Sequence, residues 1–190
     1  MAEAGEVRTD TELDPEAEAR RRLALAQIRQ YPDPVLRMRA NEVETYDRDL
    51  AQLVERMRGL MKDANGVGLA ATQVGVLRRV FVFQREEDEE PIVLVNPELV
   101  ERSDETEPTD EGCLSLQGVL VPVERSTSIV VVGRDVEGNE QRLELEGLPA
   151  RVVQHEIDHL DGILILDRTT PEARREALGV LRPQPILGTV

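Results

Sequence analysis

Apolar positions recur at helical spacing early in the chain. Leu50, Leu53, Val54, Met57, Leu60 and Met61 follow the rhythm of one helix face, and Asp47 or Asp49 stands where an N-cap would open that helix. Upstream, residues 15–30 have helix-forming composition with a weaker stripe of Leu23, Leu25 and Ile28. Tyr31-Pro32-Asp33-Pro34 ends it, because each proline pushes the residue before it out of the α region. The period then changes. Residues 79–84, 92–95, 119–123 and 128–132 are short and rich in Val and Ile, as strands are. Gly138-Asn139 turns the chain into residues 141–145, whose polar/apolar alternation marks a half-buried antiparallel strand. The acidic stretches 86–90 and 101–111 read as loops. Gly147-Leu148-Pro149 opens another helix, with proline in its first turn, that runs to about Leu160 and stops at Gly162. Residues 163–166 read as a short strand and 171–181 as a final helix. No internal repeat is present.

Length and charge narrow the picture. At 190 residues the chain fits one domain with a real core. Residues 1–16 are acidic and are expected to be a mobile tail. The net charge of −15 argues against nucleic acid or an anionic membrane as a broad electrostatic partner. No apolar run is long enough to span a membrane and no secretory h-region opens the chain, so the expected compartment is the cytoplasm. One cysteine excludes an internal disulfide framework.

Chemistry concentrates in three short segments. His155 and His159 are the only histidines and fall in His155-Glu156-Ile157-Asp158-His159 on the helix that starts near Gly147. Positions i and i+4 share a helix face, so both imidazoles can grip one ion, while Glu156 is rotated about 100° from His155 and can reach a water without ligating. A surface helix bearing two histidines is the bland alternative. Taken alone, H-E-x-x-H suggests a zinc peptidase with a third ligand downstream, where Glu172 and Glu176 are the remaining glutamates. The lone Cys113, in Glu111-Gly112-Cys113-Leu114-Ser115, is either a small buried hydrophobe or a third ligand. The glycine-rich run Gly66–Gly75 is either a tight turn or an extended stretch that lies against a substrate and presents the Gln73 amide.

Together these segments resemble the peptide deformylase family, whose motifs are G-φ-G-φ-A-A-x-Q, E-G-C-φ-S and H-E-x-D-H, with φ apolar. They read here as Gly66-Val67-Gly68-Leu69-Ala70-Ala71-Thr72-Gln73, Glu111-Gly112-Cys113-Leu114-Ser115 and His155-Glu156-Ile157-Asp158-His159, in the family's order. Tyr31-Pro32-Asp33-Pro34-Val35-Leu36 also matches the family's opening. The resemblance implies an α+β fold, with antiparallel sheets wrapped around a central helix that carries the H-E-x-x-H motif. It implies a catalytic domain over 27–168, an acidic extension over 1–26 and a C-terminal helix and tail over 169–190. The implied activity is removal of the formyl group from the N-terminal formyl-methionine of nascent polypeptides.

The resemblance also assigns residues. Cys113, His155 and His159 would hold one divalent metal, Fe(II) in the native enzyme, with Zn(II) or Ni(II) as alternatives. Glu156 would move the proton, and Gln73 with the backbone of Leu114 would hold the oxyanion. Val67, Leu148 and Val152 would wall the methionine pocket, with His155 and the aliphatic stem of Arg151 beside them. Gly68 and Gly112 would pair with the peptide backbone, and Glu111 with Arg125 would form an ion pair behind the metal ligands. N-formyl-methionyl peptides are the implied partner, a monomer the expected state, and a transient ribosome contact stays open because the C-terminal segment is barely basic. Leu120 stands where many members carry an arginine, and the extension precedes the usual family start. The acidic tail is expected to be dispensable, so that deleting residues 1–16 leaves turnover intact. Two other readings stay open: a zincin-like peptidase, and a non-catalytic homologue that binds formyl-peptides.

Overall fold

The structure, a computed structural model, describes residues 4–5, 14–86 and 89–182. In chain order the elements are β1 (Ala4–Gly5), α1 (Pro15–Leu25), α2 (Arg48–Asp63), β2 (Gly68–Ala70), β3 (Val80–Phe83), β4 (Ile92–Arg102), β5 (Thr106–Gly112), β6 (Val121–Ser126), β7 (Ser128–Arg134), β8 (Glu140–Glu146), α3 (Gly147–Leu160), α4 (Ile165–Arg168) and α5 (Pro171–Leu181). Short 3-10 turns cover Pro34–Arg37 and Ala71–Val74. Most of the expected mobile tail, part of the acidic loop at 86–90 and the end of the C-terminal tail lie outside the described residues.

Asp47, not Asp49, caps α2: its carboxylate accepts the Leu50 N–H at 2.9 Å. Asp14 caps α1 in the same way through Ala17 N–H at 2.8 Å. The apolar stripe of α2 is buried as its spacing predicts, with Leu53 at the edge.

Two sheets organise the rest. The larger has the order β2-β3-β4-β7-β8, with antiparallel neighbours throughout. β3 reads as an uninterrupted apolar run because both of its faces are covered. Val80 and Val82 meet the cluster built by α1 and α2, while Phe81 and Phe83 meet the cluster built by α3. The smaller sheet has the order β1-β5-β6, with β5 and β6 antiparallel and β1 parallel to β5. Leu164, Ile165 and Leu166 pack beneath it against Val121 and Val123.

α3 lies between the sheets and touches strands of both. Every residue from Ala150 to Leu160 is buried, polar ones included. A helix enclosed all round holds its polar side chains only where each finds a partner, so the ionisable residues of α3 point to a site.

Several expectations are corrected. The acidic stretch 101–111 is not a loop. β4 extends to Arg102 and β5 occupies Thr106–Gly112, because backbone pairing tolerates charged side chains that face water. Pro97 sits inside β4 at a bulge, where Asn96 adopts φ 50° and the register with β7 shifts. The strand expected at 119–123 begins at Val121, after Gly118 turns the chain with φ 77°. Residues 163–166 form no strand. Asp167 accepts the Leu164 N–H at 2.9 Å and opens α4 instead.

Candidate metal centre and its surroundings

Three segments far apart in sequence meet at the middle of α3. His155 and His159, one turn apart, stack edge to face with ring centroids 4.9 Å apart. Cys113 follows the last residue of β5, and its Sγ lies 3.3 Å from His159 Nε2. Ligand atoms of Cys113, His155 and His159 all fall within 4.8 Å of one another, and all three residues are buried. A thiolate and two imidazoles around one point suit a divalent transition metal, and three protein ligands leave a further position for a reactant. The donor set therefore fits such an ion.

Glu156 follows His155 on α3 and is fully buried. Room for its carboxylate comes from Gly68 on β2: a Cβ there would overlap Glu156 Oε1 and lie 2.9 Å from Val152 Cγ1. The turn Ala71–Val74 places Gln73, whose Oε1 accepts Ala70 N–H at 2.8 Å. That bond sets the amide so that Nε2 donates to Ser115 Oγ at 3.1 Å and lies 3.9 Å from Cys113 Sγ. Ser115 N–H in turn donates to the Cys113 sulfur at 3.4 Å. Backbone bonds from Arg29 to Gln73 and from Tyr31 to Ser115 stitch both loops to the segment before Pro32. The Leu114 carbonyl accepts Gln30 Nε2 at 3.0 Å, which fixes the backbone beside Cys113.

Behind the ligands lies a buried ionic network. Arg125 donates through Nε and Nη2 to the two oxygens of Glu111 at 2.9 and 3.0 Å. Glu111 Oε2 also meets His155 Nδ1 at 2.9 Å, which leaves Nε2 as the nitrogen for a metal. Asp158, a residue that sequence reasoning did not single out, accepts from Arg125 and from Arg168 of α4. Burial alone would raise the pKa of Glu111, but hydrogen bonds from His155 and Arg125 outweigh it and hold the carboxyl well below the usual range. Asp158 is likewise lowered against its burial by Arg168 and Arg125. Arg125 is held above its ordinary value, its own burial offset by Glu111 and Asp158.

Of the expected pocket walls, Val67 and Val152 are buried in one apolar cluster, and Leu148 on the first turn of α3 is 36% exposed. Gly112 ends β5 and pairs there with Gly5 of β1. Arg151 is buried on α3. Its guanidinium turns to the β5–β6 pair and donates to Glu111 Oε1 at 3.1 Å and to Val123 O at 2.8 Å. The nearest signal for Asp158 and Ser115 was their presence inside the two motifs. Arg168 and Gln30 carried none.

Comparison with known proteins gives one answer. Residues 25–175 match the polypeptide deformylase family. A peptide deformylase of Dictyoglomus thermophilum is 49% identical over 148 residues, which cover 78% of this chain and 95% of that protein. Peptide deformylase 1 of Corynebacterium glutamicum is 43% identical over 162 residues, 84% of this chain and 96% of the relative. The crystal structure of a peptide deformylase from Legionella pneumophila superimposes with a TM-score of 0.78 at 41% identity, covering 81% of this chain and 91% of that one.

Proposed function

As a member of the polypeptide deformylase family, the chain is a metal-dependent hydrolase that removes the formyl group from the N-terminal formyl-methionine of nascent polypeptides, and we propose which of its residues carry that reaction. The observation that supports the assignment is the convergence of Cys113, His155 and His159 in one buried cluster on the helix that also carries Glu156.

In this reading Cys113 Sγ, His155 Nε2 and a ring nitrogen of His159 hold the ion. When bound, it supplies a Lewis acid that acidifies water and polarises a carbonyl oxygen. The Glu156 carboxylate takes the proton of the attacking water and passes it to the methionine nitrogen as the C–N bond breaks, giving formate and a free amine. Gln73 Nε2 and the Leu114 N–H donate to the formyl oxygen as it gains charge. Glu111 accepts the His155 Nδ1 proton and so keeps that ring in the ligating tautomer, and Arg125 holds Glu111 in turn. Gly68 and Gly112 offer backbone to the peptide as neighbouring strands would, and Val67, Leu148 and Val152 face the methionine side chain.

The further assignments are Fe(II) as the native metal, with Zn(II) or Ni(II) as substitutes, a monomer acting in the cytoplasm, and a catalytic domain over 27–168. Among the described residues no helix is long and apolar enough to cross a membrane.

Metal analysis tests the ligand set. Purified protein is expected to hold one ion per chain, and Cys113→Ala to lose it on dialysis. Retention of a full equivalent by Cys113→Ala, with cleavage of internal peptide bonds, would favour a peptidase built on the two histidines alone.

A further inference from the structure

Arg151 joins the buried ionic network through its guanidinium, of which the sequence carried no sign. It lies one turn before His155, so both side chains project from the same face of α3. Both reach the same carboxylate: Arg151 Nη1 donates to Glu111 Oε1 at 3.1 Å, and His155 Nδ1 meets Glu111 Oε2 at 2.9 Å. The Arg151 guanidinium also spans the two strands beneath it. Nη1 donates to Val123 O on β6 at 2.8 Å, and Nη2 donates to Glu107 O and Thr109 Oγ1 on β5 at 2.6 and 3.3 Å. Its side chain is 7% exposed.

Arg125 and Arg151 therefore do different things. Arg125 belongs to β6, and its fork fixes the Glu111 carboxylate within the β5–β6 pair. Its Nη1 also reaches α3, but at Asp158 beside His159, a turn away from His155. Arg151 starts from α3, reaches both strands and the carboxylate, and ties them to the turn beside His155. Only a planar group with several donors in a fixed fork bridges four acceptors in this way. A lysine supplies the charge but not the span.

We propose that Arg151 is a positioning residue: it sets the separation between Glu111 and His155, and so the tautomer and aim of the His155 ring toward the metal. The inference rests on the assignment of His155 as a ligand, yet its first consequence needs no metal.

The experiment compares the wild type with Arg151→Met, which keeps the stem and removes the fork, and with Arg151→Lys, which keeps the charge. The first readout is the nitrogen-15 NMR signature of His155 in metal-free protein. The wild type is expected to show one tautomer, protonated at Nδ1, and both variants a mixture. The second readout is Zn(II) affinity by chelator competition, expected to weaken about 10–100-fold in both variants. Arg151→Lys leaves a buried cation beside Glu111 and carries the comparison if Arg151→Met does not fold. A lower Tm with an unchanged His155 tautomer would overturn the proposal and leave Arg151 as a structural staple. A wild type that binds no metal would instead overturn the ligand assignment, while the tautomer comparison would still decide the role of Arg151.

Discussion

The Glu156 carboxylate occupies the space that a side chain at Gly68 would fill. A Cβ built on Gly68 overlaps Glu156 Oε1 and approaches Glu156 Cδ and Val152 Cγ1 at 2.9 Å each. The backbone of β2 thus forms a wall against which the proposed proton carrier rests. The glycine serves close approach, not an unusual dihedral.

Gly68→Ala is accordingly expected to displace Glu156 while the metal stays bound. Overpacking of this kind costs about 1–3 kcal/mol of stability, and a misplaced catalytic group can cost on the order of a hundredfold in rate. Turnover and metal content measured together check this. Unchanged kcat in Gly68→Ala would show that the carboxylate has room elsewhere.

The N-terminal segment yields a second prediction. The sequence alone predicts that the tail is dispensable. Ala4 and Gly5, however, pair in parallel with Glu111 and Gly112, on the strand edge proposed for the substrate backbone. A tethered strand competes at an effective concentration on the order of millimolar. Deleting residues 2–13 is expected to lower KM for a formyl-peptide several-fold and leave kcat as it was. Steady-state kinetics check this, and an unchanged KM or a lost kcat would contradict it.

The ionic network has a defined pH signature. The folded-state pKa values of Glu111 and Asp158 lie below their ordinary values of 4.5 and 3.8. Their contribution to stability is therefore complete above those ordinary values and is lost as pH falls through the lowered ones. In metal-free protein, the stability gap between wild type and Asp158→Asn is expected to be largest near neutral pH and to shrink steadily below about pH 4. Denaturant unfolding across that range measures it. A gap that stays constant down to pH 3 would show that the Asp158 charge contributes nothing to the fold.

How much of this was legible beforehand follows from what one-dimensional patterns can carry. The stripe of α2 and the helix bearing His155 and His159 repeat within a few residues, and both stand as read. The far ends of β4 and β5 were misread because their partners lie in other strands: Glu101 and Glu107 look like loop residues until Val130 and Arg125 are placed opposite them. β4 also runs through Pro97, which the bulge at Asn96 accommodates. In the site, the three motifs announced the donor set. The support behind it stayed hidden, since Arg151 and Glu111 are 40 residues apart and no periodicity links them. The resemblance spoke only for the aliphatic stem of Arg151, and nothing in the sequence pointed its guanidinium at a buried carboxylate.

The most direct test of the account is formate release from formyl-Met-Ala-Ser by anaerobically purified, Fe(II)-loaded protein, with Glu156→Ala beside it. The account predicts turnover by the wild type and a loss of about 10²–10⁴-fold in Glu156→Ala at equal metal content. Near-normal turnover in that variant would contradict the role given to Glu156. A wild type that carries one metal per chain and releases no formate would contradict the account as a whole.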